Sequence, residues 1–366
     1  MGRVYNFSAE LATLPEEVLA RVEEELTDYK GKGYSPMEMD PSGEEYARIL
    51  KRAEASLRAI MNIPQNYKVF FLNGGAESQF AAIPLNLLSG HKTADYVLTG
   101  LHAKSAYIEA KKYGDIAIAA SSAGATPIFS TIPETKRSSF RPDADYVHIS
   151  FNSHIYGTKF NYIPDTGSVP LVANMSTYLF SEPFDISKFG LIYASAKDTL
   201  GISGLCIVIL RDDLLSTANE FTPSMINYKL IAEDRTSYNP PPVFGLYMAN
   251  LMFDWILSNG GLEEMKRRNE RKASHIYDYL DSQSYYTTPV DKKCRSTTNI
   301  LFITGDAALD KKFNEDAEAE GLINLHGHES LGGMCASIYN SMPYEGVIAL
   351  VKFMKKFAQE NPKLDG

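Results

Sequence analysis

Seven short apolar runs recur along the first 210 positions, at 68–72, 95–98, 115–119, 145–149, 169–173, 190–194 and 204–210. Segments of helical or loop character separate them. The runs are continuous instead of alternating apolar with polar, the pattern of strands buried on both faces. It predicts an α/β chain with a mainly parallel sheet covered by helices on each side. An extended segment to about Thr13 comes first, then a helix opened by Pro15, with Glu16 and Glu17 placed to suit the positive end of its dipole. A loop from Lys30 to Gly43 leads into a charged amphipathic helix ending near Ile63. Past the sheet, an apolar helix from Val243 to Ser258 stops at Gly260 and Gly261. A charged helix at 263–283, strands at 299–304 and 336–340, and helices at 307–319 and from Tyr344 complete the pattern.

Residues 189–210 hold the first chemical candidate. Two β-rich runs flank a short polar turn bearing Lys197, Gly201 and Gly204. A lysine at the mouth of a buried strand is a Schiff-base candidate, because partial desolvation frees its amine; an ordinary solvated turn lysine is the simpler reading of that stretch alone. With 366 residues, 44% of them hydrophobic, the chain can bury a large core and divide into two domains. No apolar run reaches about 18 residues and no signal-peptide pattern is seen, so neither a membrane span nor secretion is indicated and a cytoplasmic location is expected. Cys206, Cys294 and Cys335 are odd in number and widely spaced, which argues for a reducing compartment. A net charge of −9 speaks against nonspecific nucleic-acid binding. The basic run from Lys266 to Lys272 follows Glu263 and Glu264 and reads as a solvated helix face.

Six segments carry a likeness: NFSAELATLPEEVL at 6–19, NYKVFFLNGGAESQFAAIPLNLL at 66–88, TADYVLTG at 93–100, PPPVFGLYMANLMFDWI at 240–256, GGMCASIYNSMPYEGV at 332–347, and the short MEM at 37–39. Together, in one collinear frame from about Asn6 to about Phe357, they resemble phosphoserine aminotransferase, a class V family that depends on pyridoxal phosphate. The resemblance implies a fold-type I transferase: a large domain with a seven-stranded sheet at 16–261, a small α+β domain at 262–366, and an N-terminal segment, 1–15, packed with the small domain. A homodimer is implied as well.

Position by position, the family's chemistry is altered. The turn Asn73-Gly74-Gly75-Ala76-Glu77-Ser78 corresponds to the family's phosphate cup, where backbone amides at a helix N-terminus hold the anion; Glu77 puts a carboxylate there. In the family's Thr-Gly-x-Trp pattern, His102 replaces the stacking Trp, and His154 replaces a Thr. Asn174 stands where the family has the Asp that keeps the pyridine nitrogen protonated. In the family's Tyr-Ala-Gly-Ala-Gln-Lys-Asn motif the catalytic lysine position is Asp198, and Lys197 precedes it. An offset of one residue is expected to redirect the side chain strongly. Asn239-Pro240-Pro241 lacks the hydroxyl of the family's Asn-Thr-Pro-Pro, which crosses to the partner's cofactor phosphate. On the substrate side, Ser42, Glu329 and Cys335 occupy arginine positions, His328 precedes one of them, and Asp40 adds a further carboxylate.

The expectation is therefore a catalytically inactive homologue with a structural or regulatory role, a dimeric subunit or scaffold in a larger assembly, binding no cofactor. The alternative is an active phosphoserine aminotransferase with pyridoxal phosphate and Lys197 as its amine. A zinc site built from His102, His154, His326, His328 and Cys335 lacks any ligand-spacing signature, and no metal is expected.

Overall fold

The computed structural model describes residues 3–215, 218–233 and 239–363. Its first elements are β1 (Tyr5–Asn6), α1 (Glu16–Glu25), α2 (Glu44–Met61), β2 (Tyr67–Asn73), α3 (Ala76–Leu87), β3 (Thr93–Leu98), α4 (Leu101–Ala110) and β4 (Asp115–Ser121). There follow β5 (Tyr146–Ser150), β6 (Asn152–Ser153), β7 (Thr158–Lys159), β8 (Leu171–Asn174), β9 (Leu191–Ser195), α5 (Ala196–Leu200), β10 (Leu205–Arg211), α6 (Tyr228–Glu233) and α7 (Val243–Ser258). The remainder is α8 (Gly261–Ser282), β11 (Asn299–Phe302), α9 (Ala307–Ala319), β12 (Leu322–Ile323), β13 (Met334–Ser337) and α10 (Tyr344–Glu360).

The seven apolar runs form one sheet in the order β2-β10-β9-β8-β5-β3-β4. Strands β9, β8, β5, β3 and β4 run parallel to their neighbours in turn, while β10 is antiparallel to both β9 and β2. Chain length explains the exception. A parallel neighbour needs a crossover of a dozen or more residues, and the link from Ser195 to Leu205 is shorter. Along β10, Ile207 and Ile209 face a core built with α2 and α7, and Val208 faces a second core built with α3, α4 and α6. Burial on both sides is why the inner strands β5, β8, β9 and β10 read as unbroken apolar runs, whereas β4, at the sheet edge, is apolar with only Ile116 buried.

A third core lies beyond the sheet, where Ile276 of α8 joins Phe302, and Phe313 of α9 packs on Phe302 and on Phe353 and Phe357 of α10. Phe7 is fully buried in it, and β1 pairs in parallel with β12. The N-terminal segment is thereby tied to this core before it reaches α1.

Two local expectations change. The polar turn at 196–200 is the short helix α5, closed at Gly201, whose φ of 70° suits glycine. The basic run on α8 is not solvated throughout, because Asn269 and Lys272 turn inward. The Lys272 ammonium donates to the carbonyls of Ile338, Tyr339 and Met342, at 2.6 to 3.2 Å, and the Asn340 carbonyl lies at 3.5 Å. Burial pulls its pKa down to about 7. All three cysteines are free and buried. No helix among the described residues is long and apolar enough to cross a membrane.

Candidate active site

The carboxyl ends of β8 and β9 and the amino ends of α3, α4 and α5 meet at one small cavity, the position where open α/β sheets bind ligands. Seven of the residues singled out in the sequence line it. Ala76 and Glu77 come from α3, His102 from α4, His154 from the β6–β7 loop, Asn174 from the end of β8, and Lys197 and Asp198 from α5. Its volume is about 20 Å³, room for about one water molecule. A cavity of about 780 Å³ lies elsewhere, walled by Arg3, Trp255, Arg271 and Tyr344, and none of the candidate residues reaches it.

The helical form of α5 decides what the offset of the lysine means. Successive helix residues are about 100° apart, not 180° as in a strand. Lys197 and Asp198 consequently share the cavity instead of facing opposite ways. The offset turns the lysine by about 100° but leaves it on the cavity.

The electrostatics center on Glu10, which the sequence reading did not single out. Its carboxylate accepts from Lys197 Nζ at 2.6 Å and lies 3.6 Å from His154 Nε2. The His154 imidazole and, at the shorter distance, the Lys197 ammonium hold the Glu10 carboxyl far below the usual carboxylate range. Partial burial works against the Lys197 ammonium, but Glu10 and the neighbouring Asp198 outweigh it and raise its pKa. Asp198 is 3% exposed and its Oδ1 has no hydrogen-bond partner. Burial pushes its pKa up to about 7, against the pull of His154 and Lys197. His102, its ring 5.1 Å from that of His154, is drawn down to about 4 by burial and is neutral at pH 7.

At the glycine turn, a Cβ on Gly75 would stand 2.7 Å from Glu77 Oε2, so the Glu77 carboxylate folds back over the turn. Asn174 Oδ1 accepts from Ser176 N and Oγ at 3.0 and 2.7 Å, and Ser176 Oγ in turn accepts from Ser195 N. Asn152, Ser176, Thr177 and Ser195 complete the lining; their signal in the sequence is only their position at strand ends.

The other candidates sit outside the cavity. Asn239 Oδ1 accepts from Asn73 Nδ2 at 3.1 Å. Ser42 donates to Asp40, His328 bonds Ser330, and Glu329 is exposed. The Cys335 thiol is buried, donates to the His154 carbonyl at 3.5 Å, and is pushed by burial up to about 12, so it is no thiolate. Among the described residues no group of three or more His, Cys, Asp and Glu side chains could hold a metal ion.

The profile of the family described as aminotransferase class-V matches residues 4–350. Phosphoserine aminotransferase of Laribacter hongkongensis (strain HLHK9) is 47% identical over 359 residues, covering 98% of this chain and 99% of its own. The chain belongs to the phosphoserine aminotransferase family of class V aminotransferases. Its fold is accordingly the fold-type I transferase fold. The structure of phosphoserine aminotransferase from Bacillus circulans subsp. alkalophilus superposes with a TM-score of 0.93 at 44% identity, over 98% of this chain and 99% of that one. A structure described as pyridoxal-phosphate-bound phosphoserine aminotransferase from Trichomonas vaginalis superposes with a TM-score of 0.90 at 34% identity, over 96% and 100%.

These findings overturn two expectations. Full-length likeness to proteins named phosphoserine aminotransferase contradicts an inactive structural subunit, and the Trichomonas relative, bound to pyridoxal phosphate, contradicts the expectation of no cofactor. On α5 the helix keeps Lys197 on the cavity despite its one-residue offset. The side chains as arranged nevertheless do not fit pyridoxal phosphate. The space is about 20 Å³, the Glu77 carboxylate covers the turn where a phosphate would sit, and the Lys197 amine is engaged by Glu10.

Proposed function

We propose that the chain is an aminotransferase acting on phosphoserine, passing its amino group to 2-oxoglutarate, with Lys197 as the essential amine. The observation that carries this reading is that Lys197 and Asp198, side by side on α5, both line the cavity at the carboxyl end of the sheet. Full-length identity of 47% to a protein of that name supports it. Glu10, Glu77 and Asp198 crowd the same space with carboxyl groups, so the reading requires Glu10 and Glu77 to move aside. Asp198, with its pKa near 7, is half neutral at that pH and adds less repulsion than its charge on paper suggests.

We further propose the division into an N-terminal segment (1–15), a large domain (16–261) and a small domain (262–366), of which residues 1–2, 216–217, 234–238 and 364–366 lie outside the described residues. A homodimer in the cytoplasm is part of the same reading. Phe221, Met225 and Leu230, exposed close together in sequence, support an interface there. Free cysteines support a reducing compartment.

The test is to incubate the purified protein with pyridoxal phosphate, reduce with borohydride and map the labelled peptides, alongside an assay with phosphoserine and 2-oxoglutarate. A pyridoxyl label on Lys197 together with glutamate formation is the expected outcome. Absence of the Lys197 label, or of glutamate formation, overturns the proposal.

A further inference from the structure

Glu10 stands out because its backbone is fixed on both sides of it. Tyr339 Oη donates to the Ala9 carbonyl at 3.1 Å, and Ala12 N donates to the Lys197 carbonyl at 3.1 Å. Ser8 Oγ accepts from Glu10 N and Leu11 N, and Ser341 Oγ donates to the Thr13 carbonyl at 2.7 Å. Phe7 anchors the start of this segment in the third core. Residues 6–13 thus form a strap from the small-domain core to α5. An ordinary surface ion pair must order two loose side chains and gains little. Here the strap has already fixed the backbone of one partner, so only side-chain entropy opposes the pair.

The amine it holds has few other partners. Five titratable groups face Lys197: Glu10 from the strap, Asp198 on α5, Glu77 on α3, His102 on α4 and His154 from the β6–β7 loop. Of these, Glu10 alone is within hydrogen-bond distance of Nζ among the described residues. Its side chain is 66% exposed and so is free to be displaced from outside.

We propose that Glu10 is a positioning residue that masks Lys197: the strap lays its carboxylate on the amine as an internal counter-ion, and the amine becomes reactive when that contact opens. This deepens the reading of Lys197 as the working amine and rests on it for its meaning, though not for its test. It also accounts for one part of the poor fit to a cofactor, the pairing of the amine that must react. Glu10 raises the pKa of the amine and so lowers the fraction of free base near neutral pH.

The test reads the amine directly. The protein is treated with a trace of acetic anhydride at pH 8, and acetylation of each lysine is measured by peptide mass, with Lys104 as internal reference. Glu10→Gln is expected to speed Lys197 labelling about threefold to tenfold, the range spanned by a half-exposed, charge-assisted contact. Glu10→Asp should restore slow labelling, and Leu11→Ala, an exposed neighbour on the same strap, should leave it unchanged. Equal labelling in Glu10→Gln and the native chain, or equal acceleration by Leu11→Ala, overturns the proposal. If Glu10→Gln does not fold, the native chain in 1 M salt decides, since a Debye length of about 3 Å weakens the pair; a rate independent of salt overturns it. The pyridoxyl-labelling experiment is separate. Faster acetylation without any pyridoxyl adduct leaves the mask standing and removes the aminotransferase reading.

Discussion

Two lysines, Lys272 on α8 and Lys197 on α5, are both drawn from water, and the protein treats them differently. Around Lys272, main-chain carbonyls of the segment from Ile338 to Met342 converge on a buried ammonium. Around Lys197 the satisfying group is one carboxylate on a strap, largely exposed, beside a cavity that also holds an unpartnered Asp198 oxygen. Immobile neutral acceptors mark a structural amine, whereas a displaceable charged partner beside orphaned polar atoms marks a site that can change state.

Replacing the structural amine gives the largest effect. Lys272→Met strands several buried carbonyls and is expected to cost about 3–5 kcal/mol in urea unfolding; a loss under about 1 kcal/mol would erase the distinction between the two lysines.

Asp198 comes next, with the opposite sign. Its folded pKa, near 7, lies above the ordinary 3.8, so the folded state holds the proton more tightly. Its contribution to stability is full below about pH 4 and is lost as pH rises through 7. Asp198→Asn should therefore raise stability at pH 8 by about 2 kcal/mol, the ionisation cost less that of burying an amide donor. At pH 4, where the carboxyl is already protonated, the gain should be gone and only the loss from burying the amide donor should remain, and thermal unfolding at the two pH values reads it. A gain that is the same at both would mean the carboxyl is not the strained group.

The smallest stability effect belongs to the candidate amine. Lys197→Met should change unfolding by less than about 1 kcal/mol, because the ion pair it removes is half exposed, while abolishing pyridoxyl labelling. Glu10, whose folded pKa is depressed, supports the fold above the ordinary carboxylate range and loses that contribution only in strong acid. A large destabilisation in Lys197→Met would make this lysine as structural as Lys272.

The inner strands were legible because burial on both faces leaves an unbroken apolar signature, and α7 because Val243 to Ser258 is apolar nearly throughout. The site was legible as a neighbourhood. Ala76, Glu77, His102, His154, Asn174, Lys197 and Asp198 follow strand ends, and the parallel sheet gathers such ends on one edge. Glu10 left no trace, since nothing in its local sequence points to a lysine 187 positions away. Lys272 was misread as solvated because a helix face reveals its burial only when its partners are known. That Lys197 stays on the cavity was not legible because 196–200 reads as a turn and folds as a helix.

The sequence by itself determined the strands, the class V family and the set of groups at the sheet's edge, because those depend on local apolar patterning and on collinear motifs. The tertiary structure alone decided that Lys197 and Asp198 share a cavity and that Glu10 closes on the amine. Each of these is a contact or direction between segments distant in the chain, and the energies that set it, of packing, desolvation and charge pairing, exist only once those segments have met.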